Sequence, residues 1–337
     1  MLGVSPSDRF ESPPPVMTDT AAIAPSRTTP ARWQDYVALL KPRVMSLVVF
    51  TGLTGLVCAR APVNPILGGV AILCIAIGAG ASGALNMWYD ADIDQRMKRT
   101  RSRPVPMGRV QGADALALGM TLSLFSVGMM YLAVNLLAAA LLAFTIVFYA
   151  VVYTMWLKRT TPQNIVIGGL AGALPPVIGW AAATGTAPLN AWLLCAIIFL
   201  WTPPHFWALS LYTAEDYAAV GVPMMPVVKG AASTRRQILL YSLVLVPVAI
   251  APSFTGLAGP LYLAISALGG ALFLILAARL AASRAGDAAG EREGRLYDVK
   301  AGAKAARNLF AFSIAYLFLL FAGLLAERLM GLEALKL

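Results

Sequence analysis

Nine apolar segments divide this chain, at 44–60, 65–88, 113–132, 135–157, 164–184, 189–212, 235–256, 259–283 and 306–327. Each approaches the roughly 20 residues that a helix needs to cross about 30 Å of hydrocarbon. Composition agrees: 59% of the 337 residues are hydrophobic, 12% are charged and the mean hydropathy is +0.73. That is more apolar surface than one soluble core can bury. The expected fold class is all-α, a polytopic membrane protein with about nine transmembrane helices.

Basic residues set the expected orientation. Arg9, Arg27, Arg32, Lys41 and Arg43 precede the first segment. The even-numbered connections hold the run from Arg96 to Arg109, then Lys158 and Arg159, then Lys229, Arg235 and Arg236, then the run from Arg279 to Arg307. Of the 26 basic residues only Arg60, Arg328 and Lys336 fall on the other side. The positive-inside rule then puts the N-terminus and the even connections in the cytoplasm and the C-terminus in the periplasm. Topology and anionic lipid account for the net charge of +10, so nucleic-acid binding is not invoked. The mixed-charge segment 284–305 reads as lying on the lipid surface.

Residues 1–31 are rich in Pro, Ser and Thr, carry Asp8, Glu11 and Asp19, and have no apolar core. A disordered cytoplasmic tail over 1–31 and a transmembrane domain over 32–337 are expected. The tail lacks the apolar core of a signal peptide, and its acidic residues argue against a mitochondrial transit peptide, which leaves a bacterial inner membrane. Cys58, Cys74 and Cys195 all fall in apolar segments without metal-ligand spacing and read as small buried residues.

The residues able to do chemistry collect where segments two, four and six end. NMWYDADIDQRMKRTRSRPVP, at 86–106, repeats Asn86, Asp90 and Asp94 every fourth residue. On a helix these share one face, with Lys98 one turn further along. Carboxylates so spaced can hold Mg²⁺ through oxygen while the cation bridges to a diphosphate, and Arg99, Arg101 and Arg103 can take the remaining phosphate charge. The bland alternative is a solvated loop whose arginines serve topology alone. Asp92 points elsewhere on such a helix.

YAVVYTMWLKRTTPQN, at 149–164, puts Tyr149 and Tyr153 one turn apart, aimed toward Lys158 and Arg159. Those cations complement a helix C-terminus and retain the loop, or contact phosphate. The third stretch, 201–230, holds the only histidine, His205, among Trp201, Phe206 and Trp207. It follows a Pro pair expected to break or kink the sixth helix. A lone histidine is often a satisfied buried polar group. Inside a membrane an ionisable side chain is functional by default, and this imidazole can ligate a haem iron or hold a propionate. Glu215 and Asp216, before Tyr217, supply a second acidic point beside a rigid Gly221–Pro226 loop.

The motifs NMWYDADID, RTRSRPVP, YTMWLKR, NIVIGGLAGALPPVIGW, TPPHFWALSLY and DYAAVGVPMMPVV resemble those of the UbiA prenyltransferase superfamily, the last two its haem-modifying branch. The likeness runs from about Lys41 to Arg236. Asn86, Asp90 and Asp94 match the superfamily's Asn-x-x-x-Asp-x-x-x-Asp motif residue by residue. The resemblance implies nine helices around a central cavity, Mg²⁺ dependence, and farnesyl diphosphate and haem b as substrates. It implies that the product feeds a haem-copper oxidase, directly or by way of a haem A synthase. One departure matters. Most of the superfamily carries a second Asp-x-x-x-Asp motif after the sixth helix, whereas here Glu215 and Asp216 are adjacent and Ala219 and Val220 follow. Asp216 is then the candidate for a further metal contact, or a group that positions Lys or Arg.

Two rivals share parts of this pattern. An aromatic, quinone-precursor prenyltransferase of the same superfamily shares the first motif and has no need of His205. A secondary transporter would carry its carboxylates near the membrane midplane rather than at one face.

Overall fold

The computed structural model describes residues 31–287 and 299–335, and all regular structure among them is helical. Of the tail expected over 1–31, residues 1–30 lie outside the described residues, as does the 288–298 part of the mixed-charge segment. Among the described residues eight helices are long and apolar enough to cross a membrane: Pro65–Tyr89, Gly112–Ala133, Leu136–Thr160, Asn164–Thr184, Leu189–Tyr212, Ala231–Phe254, Pro260–Ala282 and Gly302–Leu329. A ninth, first in chain order, forms when Trp33–Leu39 and Pro42–Cys58 count as one span bent by 51°. We number the spans one to nine in that order.

The bend in the first span has a local cause. Lys41 adopts the left-handed region, φ 53°, directly before Pro42, and proline disfavours the right-handed helical conformation in the residue that precedes it. The apolar segment beginning at residue 44 marked only the second arm, because the first, WQDYVAL, carries too much polarity to read as part of a span.

Of the break or kink expected at Pro203 and Pro204, the break does not occur, and Leu189–Tyr212 runs through both prolines as one helix. Each proline removes one backbone N–H from the ladder. Thr202, Pro203, Pro204, His205, Trp207 and Ala208 are all buried here, and neighbouring helices hold such a span together where an isolated helix would break.

The fourth span changes pitch before it ends. It is α-helical through Val147, π-helical over Phe148–Leu157 and closes with a turn at Lys158–Thr160. The Lys158 amide reaches back to the Tyr153 carbonyl, the five-residue step that defines the wider helix.

Spans one and five cross backbone to backbone. A Cβ added at Gly55 would lie on the Pro176 carbonyl, and one at Gly179 on the Gly52 carbonyl. Glycine permits this approach, the usual device where apolar packing between helices must replace a hydrophobic driving force. At the end of the bundle holding residues 257–260, Glu327 of the ninth span is buried and accepts the backbone N–H groups of Gly259 at 2.6 Å and Tyr262 at 2.8 Å. It thereby satisfies donors at the start of span eight and sits at the positive end of that helix.

Candidate active site

Span two ends without losing its helical register. The amides of Asp90 and Asp94 bond to the carbonyls of Asn86 at 3.0 Å and Asp90 at 2.8 Å, so the three side chains keep one face across the junction with the short helix Ala91–Arg96. All three are buried, Asp90 completely. Burying carboxylates is costly unless each is paired, and each is. Lys158 Nζ lies 2.5 Å from Asp90 Oδ2, and Arg103 Nη1 lies 2.6 Å from Asp94 Oδ2. Asn86 links the cluster, its amide donating to Asp90 Oδ2 at 2.7 Å and to Thr154 Oγ1 at 3.1 Å. Its carbonyl oxygen accepts from Lys41 Nζ at 2.5 Å.

The wider turn of the π-helical stretch brings Thr154 and Lys158 of span four to this cluster. The same stretch carries Tyr149 and Tyr153, whose rings lie 5.3 Å apart. The Tyr153 ring occupies the space that a side chain at Gly168 of span five would fill. Lys41 and Thr154 were missed by sequence reasoning. Lys41 read as one more topogenic cation, and its adjacency to Pro42 was the available signal that the chain turns it inward.

The basic loop divides differently from the sequence expectation. Lys98 does not share the Asn86 face, because the short helix ends at Arg96 and Met97 is extended, which breaks the four-residue period. Lys98, Arg99 and Arg101 are exposed, and Arg103 is the one of the run that turns onto a buried carboxylate. Arg99 reaches the Tyr217 hydroxyl at 3.4 Å, a long contact that ties the loop to the short helix Ala214–Ala218. Asp216 on that helix is partly buried. Among the described residues no group of three or more His, Cys, Asp or Glu is close enough to share a metal ion, so Asp216 is not gathered with Asp90 and Asp94.

Asp92 faces away from the cluster and is taken by Arg159, which donates to its two oxygens at 2.9 and 2.8 Å while stacking over the Tyr89 ring. The guanidinium holds the Asp92 carboxyl below its ordinary value of 3.8. The pair is therefore fully formed at neutral pH, and its contribution is lost as the pH falls through that lowered value. Asp92 is 57% exposed, and such pairs contribute under about 1 kcal/mol. Asp92→Asn should leave turnover within a few-fold of wild type in a kcat/KM measurement. A loss of two orders of magnitude would move Asp92 into the site.

The donor set suits Mg²⁺. Asp90 Oδ1 is buried and accepts no hydrogen bond, with the nearest guanidinium nitrogen, from Arg159, 3.7 Å away. A hard cation that uses one or two carboxylates and completes its shell with water and phosphate oxygen fits a buried carboxylate oxygen that accepts no hydrogen bond. Lys41, Lys158, Arg103 and Arg159 around it are the side chains that phosphate recruits.

His205 lies on span six, between Trp201 at 4.2 Å and Phe310 at 4.6 Å, with both rings nearly parallel to the imidazole. Phe206 meets it edge-on at 5.3 Å. It is a buried imidazole in an aromatic sandwich whose far face comes from span nine, beyond every motif that marked the site in the sequence.

A nine-span helical bundle with an Asn-Asp-Asp face at one end, ringed by cations, defines the class. The chain belongs to the UbiA prenyltransferase family, whose model matches residues 48–297. It is a multi-pass membrane prenyltransferase. It is 68% identical over 329 residues to the protoheme IX farnesyltransferase of Caulobacter vibrioides, covering 95% of this chain and 99% of that protein. It is 70% identical over 319 residues to the protoheme IX farnesyltransferase of Caulobacter sp. (strain K31), covering 91% and 92%. The likeness therefore continues past Arg236, where recognisable motifs stop. Among solved structures the fold is similar to a digeranylgeranylglyceryl phosphate synthase, with TM-score 0.69 and 16% identity over 87% of this chain and 99% of that one. A UbiA homolog from Archaeoglobus fulgidus bound to GPP and Mg²⁺ superposes with TM-score 0.61 and 16% identity over 84% and 99%. At such identities the likeness to these two is one of fold.

Proposed function

We propose that this chain transfers the farnesyl group of farnesyl diphosphate to a vinyl group of haem b, with addition of water, giving haem O and diphosphate. The observation that carries this reading is the buried Asn86–Asp90–Asp94 face set among Lys41, Arg103, Lys158 and Arg159. The relatives named protoheme IX farnesyltransferase support the choice of substrates.

An allylic diphosphate leaves only when the charge developing on it is neutralised. Mg²⁺ held by Asp90 and Asp94 would supply that neutralisation as a Lewis acid. Lys158 and Arg103, which pair with those carboxylates here, would turn to phosphate oxygens, and Arg159 and Lys41 stand beside them. Lys98, Arg99 and Arg101, exposed on the loop, suit capture of the diphosphate from the aqueous side. Tyr149 and Tyr153 offer aromatic faces to the farnesyl cation. The vinyl group of haem b attacks C1 of that cation with its π electrons, so no side chain need deprotonate it. The positive charge passes to the porphyrin side chain, one water adds there, and a proton is released. His205 is the proposed haem contact.

The site lies on the cytoplasmic side of a bacterial inner membrane in this reading, because the cations of the even-numbered connections gather there. Its product suits consumption by a haem A synthase or a haem-copper oxidase assembly. Extraction of haems from a host lacking haem O, with and without this chain, followed by mass spectrometry, tests the reaction. Appearance of the hydroxyethylfarnesyl haem is the expected result, and a prenylated aromatic acid in its place would refute the assignment. Asp216→Ala should cut Mg²⁺-dependent turnover at least tenfold if that carboxylate meets the metal once substrate binds, a magnitude typical of groups around a metal site. Wild-type kinetics across a Mg²⁺ titration would remove Asp216 from the site.

A further inference from the structure

Span nine enters the site through a residue that no motif marked. Ser313 is fully buried. Its backbone carbonyl accepts the indole N–H of Trp201 at 2.7 Å, so it anchors one wall of the sandwich around His205. Its hydroxyl oxygen lies 2.6 Å from the Phe310 carbonyl oxygen and 2.7 Å from His205 Nδ1.

Counting protons across these two contacts fixes Nδ1 as the protonated nitrogen. The hydroxyl carries one hydrogen. A carbonyl oxygen is an acceptor only, so an oxygen–oxygen separation of 2.6 Å has to be held by that hydrogen. The contact with Nδ1 then requires a second hydrogen, and only the imidazole can supply it. The opposite assignment, with the hydroxyl pointing at Nδ1, would leave two oxygens facing each other at 2.6 Å with no proton between them.

We propose that Ser313 is a positioning residue that holds His205 as its Nδ1–H tautomer, so that Nε2 presents its lone pair to the iron of haem b. The iron contact rests on the reading of haem b as substrate. Among the described residues Nε2 has no hydrogen-bond partner. Trp201 and Phe310 close both faces of the ring, which leaves the in-plane nitrogen as its point of contact. A neutral imidazole whose other nitrogen is fixed by an outer hydrogen bond is how proteins prepare a histidine to bind a metal.

Because His205 is the only histidine in the chain, ¹⁵N-labelled histidine in the full protein, purified on a histidine-free tag, gives a single pair of ring nitrogens by NMR. A protonated Nδ1 and an unprotonated Nε2 are expected in detergent without haem. Ser313→Ala should give a mixture of tautomers and Ser313→Thr should retain the wild-type one. Titration with ferric haem b, followed at the Soret band, should show about 10- to 100-fold weaker binding in Ser313→Ala, with Ser313→Thr close to wild type and the spectral shift lost in His205→Ala. A protonated Nε2 in the wild-type chain overturns the proposal even if every variant fails to fold. Equal haem affinity in Ser313→Ala and wild type overturns the role of Ser313. A wild-type chain that shows the Nδ1–H tautomer but takes up no ferric haem b overturns the substrate reading and the iron contact together, while the assignment of the ring stands.

Discussion

Asp90→Ala should lower kcat/KM for farnesyl transfer by about 100- to 1,000-fold, the cost of removing one preorganised charge from a site that stabilises a leaving group. The reason lies in what converges on that carboxylate. One oxygen holds Lys158 and Asn86, and the other is buried without a hydrogen bond, with only the Arg159 guanidinium at 3.7 Å beside it. Removing the side chain deletes the metal contact and leaves Lys158 without its counter-charge, so Asp90→Asn is the better-packed control. Haem binding, read at the Soret band, should survive in both variants, because His205 draws its partners from spans six and nine. Equal loss of haem binding and turnover would mean that the fold, rather than the chemistry, had failed. Wild-type turnover in Asp90→Asn would remove Asp90 from the metal site.

The second large effect is on assembly. Gly55→Ala should destabilise the bundle by about 1–3 kcal/mol, the cost of overpacking, because the new Cβ would meet backbone atoms of Pro176 rather than a side chain that can swing aside. Gly69→Ala is the matched control. That glycine has nothing within 4 Å of an added Cβ, and alanine is the better helix former there by about 1 kcal/mol. Denaturant midpoints in the same detergent should move in opposite directions. If Gly55→Ala unfolds where Gly69→Ala does, spans one and five do not cross as closely as the backbone geometry requires.

The spans were legible because the bilayer imposes a length and a composition that nothing else in a sequence imitates. The Asn86, Asp90 and Asp94 face was legible for a related reason, since the four-residue period survives the end of span two. Lys98 was misplaced by extending that period past Arg96, where Met97 leaves the helix. The prolines at 203 and 204 misled because breakage is a property of an isolated helix, and this one is enclosed by its neighbours. Glu327 and Ser313 could not be found by local pattern, and for Lys41 the sequence offered only the neighbouring Pro42 and nothing about its partner. Each is partnered across 45, 68 or 108 residues of chain, and only the packing of distant spans reveals the pairing.

The π-helical stretch makes the site depend on a count as well as on identities. Between Phe148 and Leu157 the chain spends more residues per turn than a regular helix does, and Lys158 meets Asp90 at the end of that slower rotation. Deleting any single residue there, however bland, would turn everything beyond it around the axis by somewhat less than the roughly 100° per residue of a regular helix. Lys158 and Arg159 would sit within about 1.5 Å of the same depth, carry the same charge and satisfy the same topological rule. They would face different neighbours, and Asp90 would be left buried without its cation.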